Sequence, residues 1–156
     1  MADELLTGPH APEKGEGWWG RAPIAARIGI LYGASRIVTT LFFVAAAAIS
    51  GEGSRFGAGA TIGSLAMGWD AQWYWFVAEN GYPSELPLTD DGLVRENQWA
   101  FMPVYAYLAK AIGLPFGGWP VAAILISIVA GYLACLVLYR MLRLRVDETT
   151  ALWAVV

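Results

Sequence analysis

The chain has 156 residues, a net charge of −3, and 15% charged side chains against 57% hydrophobic ones. A soluble domain carries roughly 25% charged residues, so this composition argues against one and predicts a membrane protein. A pI near 5.0 lacks the basic footprint that phosphate-backbone binding needs, and nucleic acid is not expected as a partner.

In chain order, residues 1–23 carry Asp3, Glu4, Glu13 and Glu16 among scattered Gly and Pro. They lack the basic start and apolar centre of a cleavable signal peptide and read as a disordered cytoplasmic tail. His10 stands there without a second His or Cys, so it receives no metal role. Residues 24–50 are expected to form the first transmembrane helix. Their apolar run Ile28–Ser50 is long enough, at about 1.5 Å per residue, to cross about 30 Å of hydrocarbon. Arg21 and Arg27 precede it, which favours a cytoplasmic N-terminus.

Residues 51–118 are expected to form an extracytoplasmic loop. Between Gly51 and Gln98 the acids Glu52, Asp70, Glu79, Glu85, Asp90, Asp91 and Glu96 face only Arg55 and Arg95. Within the loop, Trp69, Trp73 and Phe76 recur at helical spacing and predict an amphipathic helix near 64–80, stopped by Gly81, Pro83 and Pro87. A second helix near 99–114 is apolar but short, with Pro103 inside it and Lys110 near its end. It is expected to lie in the membrane interface with Lys110 snorkelling. Residues 119–139 are uncharged and predict the second transmembrane helix, followed by Arg140, Arg143 and Arg145. Those arginines should share the side of Arg27, which requires an even number of crossings between them. Residues 140–150 read as a cytoplasmic loop, and 151–156 as the start of a third, incomplete transmembrane helix. A fragment that short cannot satisfy its backbone across a bilayer, so the expectation is the N-terminal part of a longer multispan protein or a truncated form. Cys135 is the single cysteine, which excludes a disulfide within the chain and reads as a helix-packing residue.

Soluble-enzyme signatures are absent: there is no G-x-x-x-x-G-K-[ST], G-x-S-x-G or H-E-x-x-H. Gly57, Gly59 and Gly63 miss G-x-G-x-x-G because Ile62 occupies the needed position. Gly29-x-x-x-Gly33 in the first span would let another helix approach closely. Arg36 is costly inside a span unless it snorkels, pairs or faces a polar cavity. The alternatives are a reach to headgroups or a contact to a lipid phosphate or buried carboxylate, for which the guanidinium fork is suited. Asp70, held among Trp69, Trp73 and Tyr74, would be partly desolvated and able to act as a general base. Its plain alternative is a helix N-cap or first-turn acid.

Three motifs carry a resemblance: W-D-A-Q-W-Y at Trp69–Tyr74, E-N-G-Y-P at Glu79–Pro83, and N-Q-W-A-F-M-P-V-Y at Asn97–Tyr105. In this order and spacing they resemble the PIG-V-like mannosyltransferases, membrane enzymes of the GT-C glycosyltransferase class. Bacterial members are similar in using W-D-x-x-W-Y, then G-Y-P, then A-F-x-P-x-Y. The resemblance implies an all-α, polytopic helical bundle, here truncated, with interfacial helices in the first outer loop. It implies inverting transfer of mannose from a polyprenyl-phosphate-mannose donor to an extracytoplasmic acceptor, with Asp70 as catalytic base. Arg36 and Arg95 are then candidates for the leaving phosphate, and Trp69, Trp73 and Tyr74 for substrate contact. Full-length relatives carry many more spans, so this chain alone is not expected to be active. No cofactor or metal ligand set is read from the residues, and the expected partners are the polyprenyl-phosphate donor, membrane lipids and further spans encoded downstream. The expected location is the plasma membrane of a bacterium. The alternative is a small non-catalytic membrane protein whose aromatic outer helices dock lipid or partner subunits.

Overall fold

The computed structural model describes residues 17–156, so His10 and the first 16 residues of the proposed tail lie outside it. Within the remainder of that tail, Trp18–Arg21 form a short helix, α1. The described residues are all helical, without strands. Helix α2 (Ile24–Ala48) starts after Pro23, whose lack of an N–H is harmless at a helix start, and stops ahead of the glycines at 51 and 53. Helix α6 (Trp119–Leu142) begins after Gly118, which takes φ +95°, and accommodates Pro120 in its first turn. Both helices are long and apolar enough to cross a membrane. They leave large apolar side chains uncovered along their length, among them Ile37, Phe42, Val129, Leu133 and Met141. An apolar surface of that extent suits hydrocarbon better than water.

The two long helices run antiparallel. Near one end Ile28 packs with Tyr139, and further along Tyr132 covers Gly29 while Tyr32 covers Gly131. Gly29 therefore serves a close helix approach within the chain. Gly33 faces open space. The end with Ile28 and Tyr139 also gathers Arg27 and Arg140, and receives α7 (Glu148–Ala154), where Ala151 and Leu152 are buried together with Val155 just after the helix. Asp147 caps α7 through the Thr150 N–H at 3.0 Å, and Arg27 pairs with Glu148 at 2.7 Å. Cys135 packs there too, its thiol donating to the Val155 carbonyl at 2.9 Å.

At the other end α2 and α6 separate, and the segment between them fills the gap. The helix expected over 64–80 is two helices, α3 (Ile62–Ala66) and α4 (Asp70–Asn80). Trp69 takes φ +56°, outside the right-handed helical region, so the helix cannot pass through it, and Gly68 before it sits beneath the Phe56 ring with no room for a Cβ. The helix expected over 99–114 likewise begins later. A single 3₁₀ turn at Gln98–Ala100 precedes α5 (Pro103–Gly113), because Pro103 fits a first helical position but would break a helix interior. Helices α4, α5 and α6 meet through Val77, Ala78, Ala106, Ala109, Ala122 and Ala123, with Trp119 buried among them and donating to the Ala106 carbonyl at 2.9 Å. The Lys110 ammonium donates to the Ala78 carbonyl at 2.7 Å and reaches Glu79 at 3.3 Å, tying α5 to the carbonyl end of α4, where the helix dipole favours a cation.

Candidate functional site

Where α2 and α6 diverge they enclose a cavity of about 480 Å³, closed by α3, the start of α4, and Tyr105 of α5. Its walls are mostly apolar: Phe43, Met67, Ile124, Ile128 and Trp119. The polar groups are Arg36, Tyr32, Thr39, Thr40, Tyr105 and Ser127. Several are already satisfied by backbone. Thr39 and Thr40 donate to the carbonyls of Ser35 and Arg36 at 2.9 and 2.8 Å, as hydroxyls in apolar helices commonly do. Tyr105 and Ser127 both reach the Ala123 carbonyl, at 3.0 and 2.9 Å, and lie 3.1 Å from each other.

Arg36 stands apart. Its guanidinium lies over the Tyr32 ring, 5.2 Å from the centroid, and among the described residues its only hydrogen bond is a long one of 3.4 Å to the neighbouring Ser35 hydroxyl. Among the described residues no Asp or Glu lines the cavity. The site thus presents one cation whose donors are largely unspent, on an apolar wall, which suits an anionic head carrying an apolar chain.

Asp70 is the first residue of α4, a first-turn acid that complements the helix dipole, and it is exposed. The expected shielding by three aromatic residues is absent. Positive φ at Trp69 turns its indole away to the Arg55 guanidinium, 4.2 Å from the ring centroid, and leaves it 64% exposed. Trp73 stacks on Phe101 at 6.2 Å, and Tyr74 meets Phe101 and Tyr105 edge-on at 5.1 Å each, so both are committed to packing α4 against α5 and the turn that leads into it. Asp70 itself does not line the cavity, but the next residue, Ala71, does. Arg95 is separate from the cavity, in an exposed turn closed by the Leu88–Val94 bridge, where its N–H donates to the Pro87 carbonyl at 2.8 Å. Among the described residues no cluster of His, Cys, Asp and Glu could hold a metal ion.

Sequence reasoning singled out Arg36 but passed over Tyr32, Thr40, Tyr105 and Ser127. Tyr32 and Thr40 stand four residues either side of Arg36, so helical spacing alone puts them on its face. Tyr105 and Ser127 come from other helices, and no local pattern ties them to Arg36. In comparisons with known proteins, the sequence matches no family model, no curated protein and no solved structure.

Proposed function

We propose that the chain is a membrane-embedded unit of a lipid-linked mannosyltransferase of the GT-C, PIG-V-like type, set in a bacterial plasma membrane with its N-terminus cytoplasmic. The observation that carries the reading is the position of Arg36 in an apolar cavity that opens beside the α4 start bearing Asp70. The antiparallel pair α2 and α6, with Arg27 and Arg140 at one end, supports two crossings and an outer segment containing α3 to α5. A polyprenyl chain fits against the exposed apolar helices, and its phosphate pairs with Arg36. In the reaction, the acceptor hydroxyl oxygen bonds to the anomeric carbon of mannose as the bond to the phosphate oxygen breaks. The hydroxyl proton passes to Asp70, and the polyprenyl phosphate leaves with the bonding pair.

The exposure of Asp70 favours a second reading: a non-catalytic membrane protein that holds a lipid phosphate in the same cavity. Membranes containing the chain joined to the further spans of a full-length version, supplied with polyprenyl-phosphate [³H]mannose, separate the two. Transfer of label that Asp70→Asn abolishes, with resistance to alkaline extraction unchanged, supports the enzyme. Transfer retained by Asp70→Asn removes Asp70 from the base role, and absence of transfer by that full-length version overturns the enzymatic reading in favour of the second.

A further inference from the structure

The placement of Arg36 depends on a contact two helices wide. Tyr32, one turn before it on α2, lays its ring beneath the guanidinium at 5.2 Å. The same ring is seated on Gly131 of α6: a Cβ added at Gly131 would overlap the Tyr32 hydroxyl oxygen and lie 3.1 Å from Cζ. Tyr32 Oη makes no hydrogen bond among the described residues, so neither a donor nor an acceptor fixes the ring. The ring is seated by the missing side chain at Gly131, by the Tyr132 ring at 6.3 Å between centroids, and by the cation on its other side.

We propose that Tyr32 and Gly131 are positioning residues for Arg36. Gly131 provides the recess that lets the Tyr32 ring lie against α6, and the ring in turn holds the guanidinium in the cavity with its N–H groups available to a phosphate monoester. This rests on the reading that Arg36 binds the phosphate of a prenyl lipid. The α2–α6 contact contains its own control. Tyr132 covers Gly29 in the converse arrangement, but a Cβ at Gly29 would meet Tyr132 Cε2 at an ordinary 3.5 Å, and that pair carries no cation. Ala is also a better helix former than Gly, so neither Gly→Ala change weakens its own helix.

The test uses the chain in phosphatidylcholine nanodiscs and measures binding of geranylgeranyl phosphate, with inorganic phosphate and geranylgeraniol as competitors. Competition by inorganic phosphate at similar concentration to the prenyl phosphate would assign the site to free phosphate and overturn the lipid assignment. Arg36→Ala is expected to weaken prenyl phosphate binding about tenfold or more, the scale of a lost charged hydrogen bond. Gly131→Ala is expected to weaken it about fivefold, the scale of a displaced cation–π contact. Gly29→Ala should leave it within about twofold of the unaltered chain. The decisive variant is Gly131→Ala combined with Tyr32→Phe, which removes the overlapping hydroxyl and keeps the ring. It should recover most of the lost affinity, a rescue that a general packing defect would not show. Unchanged binding in Arg36→Ala sinks the phosphate reading itself. Loss in Arg36→Ala with none in Gly131→Ala, or no recovery in the double variant, overturns the positioning role alone.

Discussion

The two ends of the α2–α6 pair are closed by opposite means. At one end α4, α5 and the start of α6 meet through alanines and glycines, with backbone against backbone. A Cβ at Gly113 would stand 2.7 Å from the Gly118 carbonyl carbon and 2.9 Å from the Trp119 nitrogen. At the other end, α7 is held by the Arg27–Glu148 ion pair, the Asp147 cap and a small apolar contact with Ile28 and Tyr139. Backbone contact leaves nothing to yield when a side chain is added, whereas in an ion pair with one half-exposed partner, water can take over part of the lost contact. The first end should therefore be brittle and the second tolerant.

The largest expected effect is Gly113→Ala. The added methyl meets backbone that cannot rotate away, so the α5–α6 turn must open, and stability in detergent should fall by about 3 kcal/mol, read as a lowered thermal midpoint. A midpoint unchanged within error would mean the seam is not brittle. Next is Glu148→Gln at the tolerant end. Glu148 is half exposed, but the Arg27 side chain is only 14% exposed and its Nε is buried without a partner among the described residues, so losing the pairing should cost about 1 kcal/mol, with high salt reducing the difference only in part. The smallest effect is one of pH. The Thr150 hydroxyl, and then its backbone N–H, bond to the ionised Asp147 carboxylate and hold it below its ordinary value of 3.8. A carboxylate lowered in the folded state stabilises it above the ordinary value, and that contribution is lost as pH falls through the lowered one. Loosening of α7, followed by hydrogen exchange of its amides, should thus be absent near neutrality and begin only below about pH 3.8. Loosening already at pH 6 would point to a different group.

Much of this architecture is legible in the chain. Both long helices follow from long apolar runs, whereas the start of α5 at Pro103 was missed although proline fits a first helical turn and not a helix interior. The break between α3 and α4 was not legible, since Trp69 has no local reason to adopt positive φ. The tertiary contacts of Phe56 with Gly68 and of Arg55 with Trp69 accompany that conformation. The partners of Lys110 were not legible for a similar reason: Ala78 and Glu79 lie more than a helix away in sequence.

By itself, then, the sequence determined an all-helical chain with two helices long and apolar enough to cross a membrane, because hydrophobic length and helix termination are local properties. It also marked Arg36 as a group needing an explanation, because a guanidinium in an apolar run is costly wherever it sits. Only the tertiary structure decided that Arg36 faces a cavity, that Tyr32 and Gly131 set its position, and that the aromatic residues around Asp70 are committed to packing elsewhere. Those outcomes depend on how helices distant in sequence approach one another, and that approach is governed by where small residues on one helix meet rings on the next.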